Sequence, residues 1–150
     1  MLKLNDFRAY VKSIENAIAE ITSSQTVMDE TQLSKFLDNQ ITNTRIVLGI
    51  IPKHKFTGND VNLQSNDITS ILVLQKVVRS SQDQEIFLDE LAESQRVAQL
   101  VVDKLLADSE NEEICSIMEN LTLSSFDINP FWGLNSCDGY QIDFSLKNKI

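Results

Sequence analysis

His54 is the one histidine in a chain of 150 residues, so any Ser-His-Asp or Cys-His relay would have to run through it. A working base of that kind needs an orienting partner and a pocket. His54 instead lies between Lys53 and Lys55, beside a segment rich in turn formers, which suits a solvated surface. The two cysteines, Cys115 and Cys137, together with that histidine fall short of the four ligands of a structural zinc site. The acidic run Asp108-Ser109-Glu110-Asn111-Glu112-Glu113 is dense enough to suggest a calcium loop. It lacks the alternating ligand order and the glycine that permits the sharp turn, so it reads as a solvated connection. With four glycines in the whole chain, neither G-x-G-x-x-G nor a P-loop is present. Asn120-Leu121-Thr122 has the form of a glycosylation acceptor, which matters only in a secreted chain. No catalytic, cofactor-binding or metal site is expected.

Aromatic side chains are the stronger candidates for function. Pro130-Phe131-Trp132-Gly133-Leu134 holds the only tryptophan. Phe and Trp bury large areas and are enriched at binding hot spots. Two placements stay open: a core plug closing the end of the fold, or a contact with a neighbour.

Hydrophobic spacing sets the elements that would position these residues. Phe7, Val11, Ile14, Ile18 and Ile21 trace one stripe of an amphipathic helix over 5–21, with Asn5 as N-cap and Asp6 in the first turn, where the helix dipole favours an acid. A Ser/Thr-rich break follows at 22–26. Residues 29–39 form either a short second helix, with Leu33, Phe36 and Leu37 on one side, or a long irregular connection. The β-branched run from Arg45 to Ile51 reads as a strand ended by Pro52. Thr57-Gly58-Asn59-Asp60 and Ser65-Asn66-Asp67 make 56–67 an exposed hairpin loop, and 68–78 a second strand covered on both faces in its middle.

Ser81 and Gln84 have capping-box spacing ahead of a long helix over 82–108, whose stripe of Phe87, Leu91, Ala98, Val102 and Leu105 is expected to pack across the sheet. Strand character resumes over 118–128 with a bulge or bend near Leu123–Phe126, Asn129-Pro130 breaks the run, and 133–139 turn the chain. Tyr140, Ile142, Phe144 and Leu146 then alternate with polar residues, the pattern of a half-buried terminal strand. The order helix, strand, strand, helix, strand, strand predicts a single α+β domain over 1–150: an antiparallel sheet of about four strands packed on two main helices, its other face left to solvent or a partner.

Twenty-two acidic against thirteen basic residues give a net charge of −9, which opposes approach to a phosphate backbone. The cluster Lys53-His54-Lys55 lacks the interleaved aromatics of single-strand binders. No apolar run reaches the ~18–20 residues that span a bilayer, and the first twenty residues have neither the apolar core of a secretory signal nor the bias of a transit peptide. A chain in the cytoplasm with both cysteines reduced is expected.

In the order of these elements, the acidic balance, and a closing hairpin of the form aromatic-Gly-x(6)-aromatic-x-Ile-x-Phe, the chain resembles the small neck and tail-completion proteins of tailed bacteriophages, tail terminators in particular. The resemblance implies a non-enzymatic structural protein of the virion, assembled in the host cytoplasm. It implies a ring of identical subunits, commonly six, that caps the tail tube and joins it to the connector or sheath. Phe131, Trp132 and Tyr140 on the closing hairpin, and Phe56, Asn59 and Asp60 on the first one, would then meet neighbouring subunits, and the acidic surface would let DNA slide past without sticking. The alternative is a small-molecule-sensing or adaptor module of the same architecture, since fold does not decide function.

Overall fold

The computed structural model describes residues 1–28, 30–78, 83–111 and 117–149. The chain is α+β. Helix α1 (Leu4–Ala17) leads to strand β1 (Ser23–Val27), helix α2 (Glu30–Asp38), strands β2 (Arg45–Thr57) and β3 (Gln64–Lys76), helix α3 (Gln84–Glu110), and strands β4 (Asp127–Leu134) and β5 (Cys137–Lys149). The five strands form one mixed sheet in the order β1-β2-β3-β5-β4. No described helix is long and apolar enough to cross a membrane.

The expected purely antiparallel four-stranded sheet is corrected by β1, which pairs parallel to β2 from Ser23↔Ile46 to Val27↔Ile50. Its sequence, SSQTV, looks like a break because an edge strand needs little apolar content, and only Val27 is buried. A parallel pair requires a crossover, and α2 is that crossover. The helical alternative for 29–39 is therefore the one realised, from Glu30 onward; Asp29 lies outside the described residues.

The two faces of the sheet have separate cores. Phe7, Val11 and Ile14 of α1 and Val97, Ala98, Val101 and Leu105 of α3 pack with Val47, Ile71, Val73, Ile142, Phe144 and Leu146. The terminal alternation of β5 thus runs as expected, and burying each of those large side chains contributes roughly 1.5–3 kcal/mol. On the opposite face Leu33 and Leu37 of α2 cover Ile46, Leu48, Leu72, Leu74 and Cys137. That face is consequently not bare throughout: α2 closes the half nearest the start of β2. The buried run Ile71–Leu74 serves both cores, which explains its apolar character on both sides.

Several boundaries differ from the spacing-based expectation. Helix α1 starts at Leu4 without a side-chain cap, so Asn5 is not the N-cap, and it ends at Ala17; Ile18 and Ile21 are buried from the turn that follows. Ser81 lies outside the described residues, and the cap of α3 is Asp83, whose carboxylate accepts from the Ile86 N–H. The first stretch of α3 does not lie on the sheet: its buried residues begin at Ser94, and Phe87 and Leu91 are only half-buried. Pro52 does not end β2. The register steps from Ile50↔Ser70 to Lys53↔Ile68, a bulge that absorbs Ile51 and Pro52, and the strand continues to Thr57. Of the strand expected over 118–128 only Asp127 and Ile128 are in one, as the start of β4; before them the chain makes two 3-10 turns, Ile117–Asn120 and Leu123–Ser125. Asn129 and Pro130 lie within β4, where an edge strand tolerates a residue without an N–H.

Gly139 marks the tightest contact in the sheet. A Cβ there would stand 1.9 Å from the Val73 carbonyl oxygen on β3, which is backbone and cannot swing aside. Gly139→Ala is therefore expected to push β5 away from β3 and cost about 3 kcal/mol, the upper part of the range for overpacking. Urea unfolding that places the variant within about 0.5 kcal/mol of the parent would show that the strands have room the packing denies.

Candidate functional site

The β2–β3 hairpin is built by cross-strand pairing from Arg45↔Gln75 to Thr57↔Gln64, so the loop expected over 56–67 shortens to a tip between Thr57 and Gln64. Gly58 turns it with φ +114, a conformation few other residues adopt, and a Cβ there would meet the Asn62 carbonyl at 2.0 Å. Asn59 folds the tip by accepting from the N–H groups of Val61 at 3.2 Å and Asn62 at 3.0 Å through its side-chain oxygen. Asp60 is exposed beside it. Phe56 is 54% exposed and Val61 87%, so the tip carries apolar surface to solvent.

The closing hairpin turns at Asn135 and Ser136, both at positive φ, and not across the whole of 133–139. Asn135 ties the turn to α2 by donating to the Ser34 carbonyl at 3.2 Å and to the Asp38 carboxylate. Between Phe131↔Gly139 and Leu134↔Cys137 the register slips, because β4 carries one residue more than its partner. The bulge falls on Trp132 and Gly133, with Gly133 at φ +85. Phe131 packs half-buried against the α2 core, while Trp132 is left 65% exposed. The core-plug placement of Trp132 is thereby overturned. A bulge re-aims the side chain it carries, and an alternation count across 127–134 does not register one.

The six candidate contact residues fall into two groups. Phe131, Trp132 and Tyr140 belong to the closing hairpin, with Tyr140 half-buried opposite Pro130. Phe56, Asn59 and Asp60 belong to the other tip. In register terms Phe131 aligns through Gly139 with Leu74, whereas Phe56 aligns with Ser65. Nine residues of extended chain separate those rows, about 30 Å. The two groups therefore occupy opposite ends of the sheet and do not form one patch.

His54 is exposed, as its lysine neighbours suggested, but it has a buried partner. Its Nδ1 lies 2.7 Å from Oδ1 of Asp67, directly across the ladder, and Asp67 is fully buried. The other carboxylate oxygen accepts from the Leu2 backbone N–H and from Asn148 Nδ2, each at 2.6 Å. One buried carboxylate so joins the chain start, β2, β3 and β5. Burial acts to raise its pKa, but the donors from His54, Leu2 and Asn148 outweigh that and hold it below the usual carboxylate range. Among the described residues the hydrogen bond to Asp67 is the one made by the imidazole, and no nucleophile of theirs is bonded to it. The group works as a joint. The pairing was hidden in the sequence because it depends on the bulge at Ile51-Pro52, which decides that His54 faces Asp67.

A cleft of about 370 Å³ between α1 and β1, lined by Arg8, Lys12, Ser24 and Gln25, is a further polar recess near the sheet. Its chemistry is largely spoken for: Glu15 accepts from both Lys12 and Ser24, and those two bonds hold its pKa low. Cys137 is fully buried beneath α2, and Cys115 lies outside the described residues, as do Glu112 and Glu113 of the acidic run. No group of three or more metal-ligating side chains occurs among the described residues.

Removing the Asp67 carboxylate by Asp67→Ala leaves buried donors unpaired and is expected to cost about 2–4 kcal/mol at pH 7. Because the folded pKa lies below the unfolded one, this stabilisation is complete above the ordinary aspartate value of about 3.9 and is lost as pH falls through the folded value. The stability gap between parent and variant should then narrow as urea titrations are taken below about pH 4. A gap that stays constant down to pH 2 would remove the carboxylate from this role. Neither a family model nor a curated protein sequence matches this chain.

Proposed function

We propose that this chain is a non-enzymatic structural protein that assembles with identical copies into a closed ring. The tail-terminator role suggested by the closing hairpin is its most specific form: a ring, of about six copies by that resemblance, that ends a phage tail tube and joins it to the connector or sheath. The reading rests chiefly on Trp132, a large aromatic side chain left 65% exposed by a bulge on an edge strand. Tryptophan is the residue most enriched where protein surfaces meet, and its exposure on a lone chain leaves the apolar area it would bury unaccounted for.

Two further features support it. The apolar surface lies at both ends of the sheet, on Trp132 at one and Phe56 and Val61 at the other, which suits a head-to-tail contact in which one patch meets the other on the next copy. The edge strands are also poor templates for open-ended strand addition. Strand β1 has five residues, and β4 contains Pro130 and a bulge, so association through side chains is favoured over indefinite sheet extension.

Light scattering over a concentration series tests this directly. A discrete closed oligomer is expected, and Trp132→Ala should weaken it by about 2 kcal/mol while leaving the circular dichroism and melting temperature of the protomer unchanged. A strict monomer at every concentration would sink the self-assembly reading. A monomer or dimer whose melting temperature rises with a metabolite would move the protein to the sensing class instead.

A further inference from the structure

The first turns of α3 stand clear of the core. None of the residues from Gln84 to Glu93 is buried, whereas Ser94, Val97, Ala98, Val101, Val102 and Leu105 are. Glu93 reaches Arg45, at the beginning of β2, so the helix leaves the sheet at that end. The turns before it extend roughly 13 Å further at 1.5 Å per residue. They carry Glu85, Asp89 and Glu90 as well as Ile86 at 42% and Leu88 at 45% exposure, and no Lys or Arg stands between Asp83 and Arg96. Neither Glu85 nor Asp89 forms an ion pair among the described residues.

The far end of the sheet has the opposite character. Register places Lys53 beside Ile68 and Ser145, and Lys55 beside Asn66 and Lys147, all on the face opposite His54 and Asp67. Helix α2 does not reach this part of the sheet, and the three lysines are exposed. Ile68, 46% exposed, sits among them, and they too make no ion pair among the described residues. In a chain of net charge −9 three lysines around an isoleucine are the exception, the acid nearest them on that face, Asp143, already accepting from Ser70 and Gln141, and their complement lies in the same molecule: an acidic helix bearing its own exposed isoleucine and leucine at the other end.

We propose that the projecting first turns of α3 dock on the lysine face of the β2–β3–β5 ribbon of a second copy, head to tail. The inference rests on the self-assembly reading above and adds a charged contact beside the aromatic one between Trp132 and the Phe56 end. Opposite charges steer the encounter and fix its register, while Ile86, Leu88 and Ile68 supply the desolvated centre. Because the two surfaces lie at opposite ends of one protomer, each copy offers one of each. The contact therefore repeats from copy to copy and closes when the rotation between neighbours divides a full turn.

Reversing charge on either surface tests this. Glu85→Lys with Asp89→Lys, and separately Lys53→Glu with Lys55→Glu, change only exposed positions outside both cores, so each variant should keep the parent's circular dichroism, and only the helix variant should melt slightly lower, because Lys in place of Glu85 opposes the helix dipole. By light scattering at moderate salt, each alone should self-associate at least tenfold more weakly than the parent. An equimolar mixture should recover assembly, since the reversed helix of one fits the reversed ribbon of the other and the two unreversed surfaces still match. If the parent forms a closed oligomer that neither variant weakens, or that the mixture fails to restore, the docking is wrong and the ring stands on another contact. If the parent is monomeric throughout, the self-assembly reading falls and the docking falls with it.

Discussion

Strand length is the constraint from which the rest of this structure follows. β2, β3 and β5 each run for thirteen residues, about 43 Å of extended chain, while the helices cover only the part of the sheet nearest the start of β2 and the end of β3. A sheet that outruns its helices keeps its backbone satisfied by the ladder, but its side chains must change character where the cover ends. β2 shows the change within one strand, from the buried run Arg45–Gly49 to the exposed residues Lys53–Thr57. The bulge at Ile51-Pro52 sits at the border.

Asp67 is the device that seals that border. An apolar side chain at its position would sit under the start of the chain with nothing to hold the Leu2 N–H or the Asn148 amide. A carboxylate takes both and adds the imidazole of His54. Burying a charge is unfavourable unless it is well supplied with donors, and here they come from segments far apart in sequence. The joint thus forms only when the chain start, the first hairpin and the terminal strand are all in place, which makes it a test of correct assembly of the fold. At the opposite end the equivalent work falls to exposed charges, with Arg96 bridging Glu20 and Glu93 at the surface, where pairing is screened and contributes little.

What could be read from the sequence divides along the same line. Where a segment has one covered face, as in β5 or the later part of α3, spacing alone located the element and most of its buried apolar residues, with Val97 the one missed on α3. Where cover is missing, the signal fails. β1 is polar because an edge strand has little to bury, so Ser23–Val27 looked like a break. Phe87 and Leu91 carry the right spacing for a core stripe but lie beyond the sheet they were expected to cross. The direction of Trp132 and the partner of His54 both hang on single-residue bulges, and alternation counts are blind to one extra residue until the opposite strand is known.

Keeping the proposed contact surfaces on uncovered ends would have a physical consequence for assembly. Residues such as Trp132, Phe56 and the lysines of the ribbon contribute little to either core, so the strength of association can vary without a matching change in protomer stability. A surface residue inside the covered region could not be altered so independently, because its neighbours are close-packed and transmit the change. The same separation carries a hazard, since exposed apolar side chains at both ends of a molecule can link copies without limit as easily as they close a ring. Short β1, Pro130 and the Trp132-Gly133 bulge remove the simplest unlimited route, backbone pairing from edge to edge. What would remain in the proposed ring is contact between side chains of definite shape and charge, and such contacts hold one relative orientation, which is the condition for closure.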